Sequence, residues 1–75
     1  MNPSAPSVYV VRLCNNRHEF FLRRTTWTSF IDRASQFSSE NEARASLSRA
    51  SKFMRKADAH RAEIVLMGAV RGRQA

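Results

Sequence analysis

Apolar and polar positions follow two different rhythms along this chain, and the change of rhythm predicts its elements. Val8-Tyr-Val-Val-Arg-Leu13 is β-branched and aromatic and predicts a strand. Asn15-Asn16 is a turn signal, because asparagine tolerates positive φ. Glu19-Phe-Phe-Leu-Arg-Arg24 predicts a second strand, and the two make a hairpin. With one face covered, Tyr9, Val11 and Leu13 point inward from the first strand and Phe20 and Leu22 from the second. A slip of one residue would invert that choice. Thr25-Thr-Trp-Thr-Ser29 reads as a polar connection around the only tryptophan, and Thr28 or Ser29 can cap a short turn over Phe30-Ile-Asp-Arg-Ala34.

A helical rhythm then takes over. Ser39-Glu-Asn-Glu42 matches a capping box, in which the serine hydroxyl accepts from an N3 amide and the glutamate reaches back. Ala43, Leu47, Ala50, Met54 and Ala57 follow at steps of four and three, an amphipathic seam that Phe53 widens. One helix is expected from Glu40 to Asp58 or beyond. Its small-large-small seam suits close approach to a sheet. Ala59-His-Arg-Ala62 is the expected helix end, and Glu63-Ile-Val-Leu-Met-Gly-Ala-Val70 reads as a third strand on its Ile/Val content, with a continued helix as the alternative. The order predicts an α+β domain, a small three-stranded, mostly antiparallel sheet with one long helix packed on it. Residues 1–7 read as a loose N-terminal arm, 8–70 as the core of a single domain and 71–75 as a basic tail. One sheet face, or a sheet edge, is left to meet solvent or a second copy of the chain.

Charge changes the picture more than composition does. The chain has 75 residues and a formal net charge of +7, from 13 Lys+Arg against 6 Asp+Glu. Eleven of the cations are arginines, whose planar fork grips carboxylate or phosphate. On a continuous helix with Ala43 at zero and about 100° per residue, Arg44, Arg55, Lys52, Lys56 and Arg49 fall between about 100° and 240°, opposite the seam. A solvated helix face ordinarily mixes signs, but Ala43–Ala57 contains no acid. The sequence therefore predicts a binding face of Arg44, Arg49, Lys52, Arg55 and Lys56. Arg61, Arg23 and Arg24 extend it, and Trp27 is either a lid over the hairpin edge or an anchor at a partner surface.

Other chemistry is sparse. Cys14 is the only cysteine, so neither an internal disulfide nor a cysteine-based zinc site can be built, which suits a reducing cytosol. Cys14 with His18 is a nucleophile–base pair on paper only, because no third residue orients the base and a strand cysteine is more often a small buried apolar group. No glycine-rich phosphate loop and no catalytic carboxylate pair stands out. The expectation is a non-enzymatic protein with no cofactor and no metal. The N-terminus lacks the apolar stretch of a signal peptide, and Ile64-Val-Leu-Met67 is far short of the roughly 20 residues of a membrane span, so a cytoplasmic protein without membrane contact is expected. The partner is a protein or ribonucleoprotein with an acidic surface, or a nucleic acid.

The layout also resembles that of very small proteins carried by phages and mobile elements, anti-CRISPR inhibitors of type I systems in particular. The segments that carry the resemblance are Val8–Leu13, Phe20–Arg24 and Ala34-Ser-Gln-Phe-Ser-Ser-Glu-Asn-Glu-Ala43, together about half of the chain. Those inhibitors share no common motif, so no functional residue carries over. Many of them are acidic DNA mimics, and a +7 chain departs from that pattern. The resemblance implies an inhibitor that docks on a CRISPR surveillance complex in a bacterial cytoplasm. The alternative is a small DNA- or RNA-binding accessory or regulatory protein using the same basic face.

Overall fold

Strand β1 spans Tyr9–Asn15 and β2 spans His18–Arg23, and they pair antiparallel with Leu13 opposite Phe20 and Asn15 opposite His18. The structure, a computed structural model, describes residues 7–15 and 17–68. The arm is thus outside the described residues except for Ser7, and the tail lies outside them altogether. Strand β3, Thr26–Thr28, pairs antiparallel with β2, Leu22 opposite Trp27. Strand β4, Glu63–Leu66, returns antiparallel on the other side of β1, Val10 opposite Val65 and Arg12 opposite Glu63. The sheet has four strands in the order β3-β2-β1-β4, not three. Only 63–66 of the predicted third strand is extended, and 69–70 lie outside the described residues.

The additional strand is the segment read as a polar connection. Thr-Trp-Thr is a β-favouring triplet whose alternation places Trp27 on the sheet face that Leu22 occupies. Arg24-Thr25 makes the two-residue turn into it, with Arg24 at φ 57. A hairpin turn this short demands positive φ, which glycine adopts freely and other residues do not. An arginine in the glycine position hid the turn.

Both faces of the sheet are covered. Val10 and Val11 are each fully buried although their side chains point to opposite sides, and Phe21 and Leu22 repeat the pattern on β2. On one side Val11 and Leu22 pack with Ala43 and Ala50, joined by Trp27, Phe37, Leu47, Met54, Ala62 and Ile64. On the other, Val10 and Phe21 pack with Ile31, Ala34 and Met67. The expectation of one open face therefore fails, and Phe21 replaces Phe20 as the buried phenylalanine of β2. Adjacent apolar pairs, Val10-Val11 and Phe21-Leu22, are what a strand buried on two faces needs.

Segment 35–37 ties the layers together. The Ser35 amide donates to the Leu22 carbonyl (2.9 Å), and Tyr9 and Phe37 exchange backbone bonds of 2.8 and 2.9 Å. Helix α1, Glu40–Ala50, then starts at Ser39, whose hydroxyl accepts from the Glu42 amide at 3.2 Å. Glu42 reaches back one residue further than a capping box requires, accepting from the Ser38 amide (3.2 Å) and hydroxyl (2.8 Å).

The expected long helix is broken. A 3-10 turn follows at Ser51–Phe53, Met54 is extended, and a short helix α2 spans Lys56–Arg61. A helix over 40–58 would be about 28 Å long, against about 23 Å for the seven residues of β1, so it would overrun the sheet it packs on. The Ser51 hydroxyl donates to the Ser48 carbonyl at 2.6 Å, a local bond of the kind that competes with helical pairing. Breaking there turns Met54 onto the sheet and leaves Ala57 exposed at the end of the predicted seam.

Candidate functional site

The cations predicted to form one helix face sit on four different pieces of backbone. Arg44 and Arg49 are on α1, Lys52 is in the 3-10 turn, Arg55 stands at the extended break, and Lys56 and Arg61 open and close α2. All six are exposed, and among the described residues none of them forms an ion pair. The single-face projection fails beyond Ala50, because Met54 (φ −135, ψ 169) and Arg55 (φ −68, ψ 147) leave the helical phase. The basic surface is therefore bent around a corner. Arg23 and Arg24 are exposed at the β2–β3 turn, with the Arg24 amide donating to the Ser35 hydroxyl at 2.9 Å.

The sheet consumes two of the acids that might have balanced this surface. Arg12, in the middle of β1, donates to Glu19 of β2 at 3.1 Å and to Glu63 of β4 at 2.9 Å. The hydrogen bond that Arg12 donates to Glu63 raises the Arg12 pKa above its ordinary value, against an opposing contribution from burial. Glu42 is likewise turned back onto Ser38 at the head of α1. Arg12 thus acts as a tie across three strands, and the surface cations keep their charge.

At the α1–α2 corner the sequence reading missed a residue. Phe53, expected to widen the apolar stripe, is 71% exposed. Its place on the core belongs to Met54, and leaving a phenylalanine in water forgoes roughly 2 kcal/mol of burial. Phe53 lines an open groove of about 530 Å³ with Trp27, Lys52, Met54, Arg55 and Asp58. Trp27 is half-buried on the core, as a lid is, and its indole Nε1 is buried without a hydrogen-bond partner. No local signal placed Phe53 outside, since a helix stripe can hold both Phe53 and Met54; it is the extended backbone at Met54 that parts them.

No family model, curated protein or solved structure matches this chain. The site must speak for itself.

Other residues contribute less. Phe30 is 60% exposed, with the Arg33 guanidinium 5.1 Å from its ring centroid, a cation–π contact. Cys14 is exposed, contrary to the expectation of a buried strand cysteine. Cys14 faces Glu19 and His18 faces Asn15 in the register, so Cys14 and His18 lie on opposite faces of the sheet and do not meet. Among the described residues no group of three His, Cys, Asp or Glu is placed to hold a metal, and no helix is long and apolar enough to cross a membrane. A second open cavity of about 460 Å³ is lined by Ser51, Lys56, Ala59 and His60. What the corner offers is a cationic, partly aromatic concavity: phosphate or carboxylate can be gripped at Lys52 and Arg55, and a flat or apolar group can lie on Phe53.

Proposed function

We propose that this protein acts by binding, as an inhibitor that docks on a host nucleic-acid machine through its basic surface, with a type I CRISPR surveillance complex as the preferred target. The observation that carries the reading is the set Arg44, Arg49, Lys52, Arg55, Lys56 and Arg61, exposed and free of ion pairs among the described residues. Cations held this way steer association with an acidic or phosphate-bearing partner. The partner class comes from the resemblance to small phage-borne inhibitors, and Phe53 and Trp27 supply the aromatic anchor such an interface uses.

A second reading, a small DNA- or RNA-binding accessory protein, is favoured by the exposure of Phe53 between Lys52 and Arg55, which puts a stacking ring among the cations. One pair of experiments divides them. Reversal of Arg44, Lys52, Arg55 and Lys56 to glutamate is expected to leave the circular dichroism spectrum unchanged and to abolish inhibition of target-DNA binding by a purified type I complex. Inhibition that survives the reversal refutes the basic-surface reading. Random duplex DNA at about 150 mM salt is expected to bind no tighter than the 10⁻⁴ to 10⁻⁶ M range of non-specific contacts. Sub-micromolar binding would instead establish the second reading.

A further inference from the structure

The groove at the α1–α2 corner combines three groups that one ligand class uses together. Phe53 presents an exposed ring, Lys52 and Arg55 flank it with positive charge, and Asp58 adds a single half-buried carboxylate. The carboxylates of an acidic peptide can use the two cations but, like phosphates, give Asp58 nothing to accept. A nucleotide has a use for all three: a π-face to stack, a phosphate to grip, and, on cytosine, adenine or guanine, an exocyclic amine that donates to a carboxylate. The groove, at about 530 Å³, lies in the range of ligand sites generally, and its openness to solvent lets a chain run through it. A duplex fits badly, because its bases are already stacked on one another and offer no face to Phe53.

We propose that this groove binds single-stranded nucleic acid. One base stacks on Phe53, the adjoining phosphates lie against Lys52 and Arg55, and Asp58 accepts from the amino group of the stacked base. The inference rests on the reading of the basic surface as the contact with a nucleic-acid machine, and it names the strand within that machine as the element contacted.

Trp27 lines the groove and is the only tryptophan, so its fluorescence reports occupancy directly. The test titrates the full chain with oligo(dC), oligo(dT) and a mixed-sequence duplex, each about ten nucleotides long, within the site size of small single-strand binders. Single strands are expected to bind tighter than the duplex, and oligo(dC) tighter than oligo(dT). Phe53→Ala is expected to weaken oligo(dC) binding by about tenfold or more, with Phe53→Tyr restoring it, as loss and recovery of one stacking platform require. Lys52→Gln and Arg55→Gln should each flatten the salt dependence by about 0.7 in log–log slope, one phosphate contact apiece. Asp58→Asn should erase the preference for oligo(dC) without changing that slope. Phe53 is exposed, so its substitution leaves the core untouched, and an unchanged thermal melt verifies this.

Equal binding by parent and Phe53→Ala, or a duplex that binds as tightly as the single strand, overturns the proposal. The two failures are distinguishable. Oligonucleotide binding indifferent to Phe53, with inhibition of the type I complex intact, removes the groove and keeps the proposed function. Phe53-dependent oligonucleotide binding, with no inhibition of any such complex, keeps the groove and removes the inhibitor reading.

Discussion

Replacing Arg12 with methionine tests the tie across the sheet. Methionine keeps an unbranched apolar stem on β1 and removes the guanidinium that bridges Glu19 at 3.1 Å and Glu63 at 2.9 Å. The two halves of the bridge differ in solvation. The Arg12 side chain is only 16% exposed, Glu19 29% and Glu63 53%. A pair half open to water contributes about 0.2–1 kcal/mol, so the Glu63 half is small. The Glu19 half is a charge-assisted bond between two largely covered groups, about 1.5–3 kcal/mol. The sum for Arg12→Met is about 2–4 kcal/mol of destabilisation. Against a domain of this size, at roughly 0.05–0.15 kcal/mol per residue, that is a large share of the total stability. Urea unfolding followed by Trp27 fluorescence measures it, and double-mutant cycles with Glu19→Gln and Glu63→Gln apportion it. Glu63 makes the shorter bond and does most to raise the Arg12 pKa, but its carboxylate is the more open to water, so both couplings should be measurable and neither should be zero. The pKa of Arg12 is raised in the folded state, first by its hydrogen bond with Glu63. A raised cation pKa contributes stability that is fully present below the ordinary arginine value and is lost only as pH rises through the folded one. Arg12 therefore titrates nowhere between about pH 6 and 9 and adds no pH dependence there. A cost below about 0.5 kcal/mol, the ordinary scale of a surface substitution, would refute the tie, as would the absence of coupling to either carboxylate.

Other substitutions probe the remaining structural claims. Arg24→Gly should stabilise the domain by about 0.5–1 kcal/mol, because φ 57 strains any residue with a Cβ, and a denaturation midpoint that falls would contradict this turn geometry. Val10→Ala and Val11→Ala should each cost about 2–3 kcal/mol, since both are fully buried on opposite faces, and a nearly neutral result for either would mean an uncovered face. Ser39→Ala should cost about 1 kcal/mol through loss of the cap on the Glu42 amide, seen as a lower melting temperature. Phe53→Ser should leave the melting temperature within about 2 °C of the parent, whereas Met54→Ser should lower it clearly, because only the second side chain packs on the sheet.

Local signals survived into the fold wherever the interaction they depend on is local. The first hairpin, the helix start at Ser39 and the seam Ala43–Leu47–Ala50 were readable because strand patterning, capping and periodicity act within a few residues. Identities of the exposed cations were equally readable, as was the excess of arginine over acid. Where Arg12 spends two carboxylates could not be read, because Glu63 lies 51 positions away and becomes a neighbour only when β4 joins β1.

The rest of the fold follows from which faces are covered. The width of the sheet settles that Thr26–Thr28 is a strand, since it is Leu22 on β2 that gives Trp27 its place. Cover from Ile31, Ala34 and Met67 makes the Val-Val pair a two-faced core instead of a one-faced one. Helix α1 stops at Ala50, and the corner that follows divides Phe53 from Met54. Residue types and spacing already specify a small, strongly basic α+β domain. Folding converts the expected single stripe into a bent surface with an aromatic groove at the bend, because the chain leaves the helix over Ser51–Met54, which brings Met54 onto the sheet and turns Phe53 out of the core.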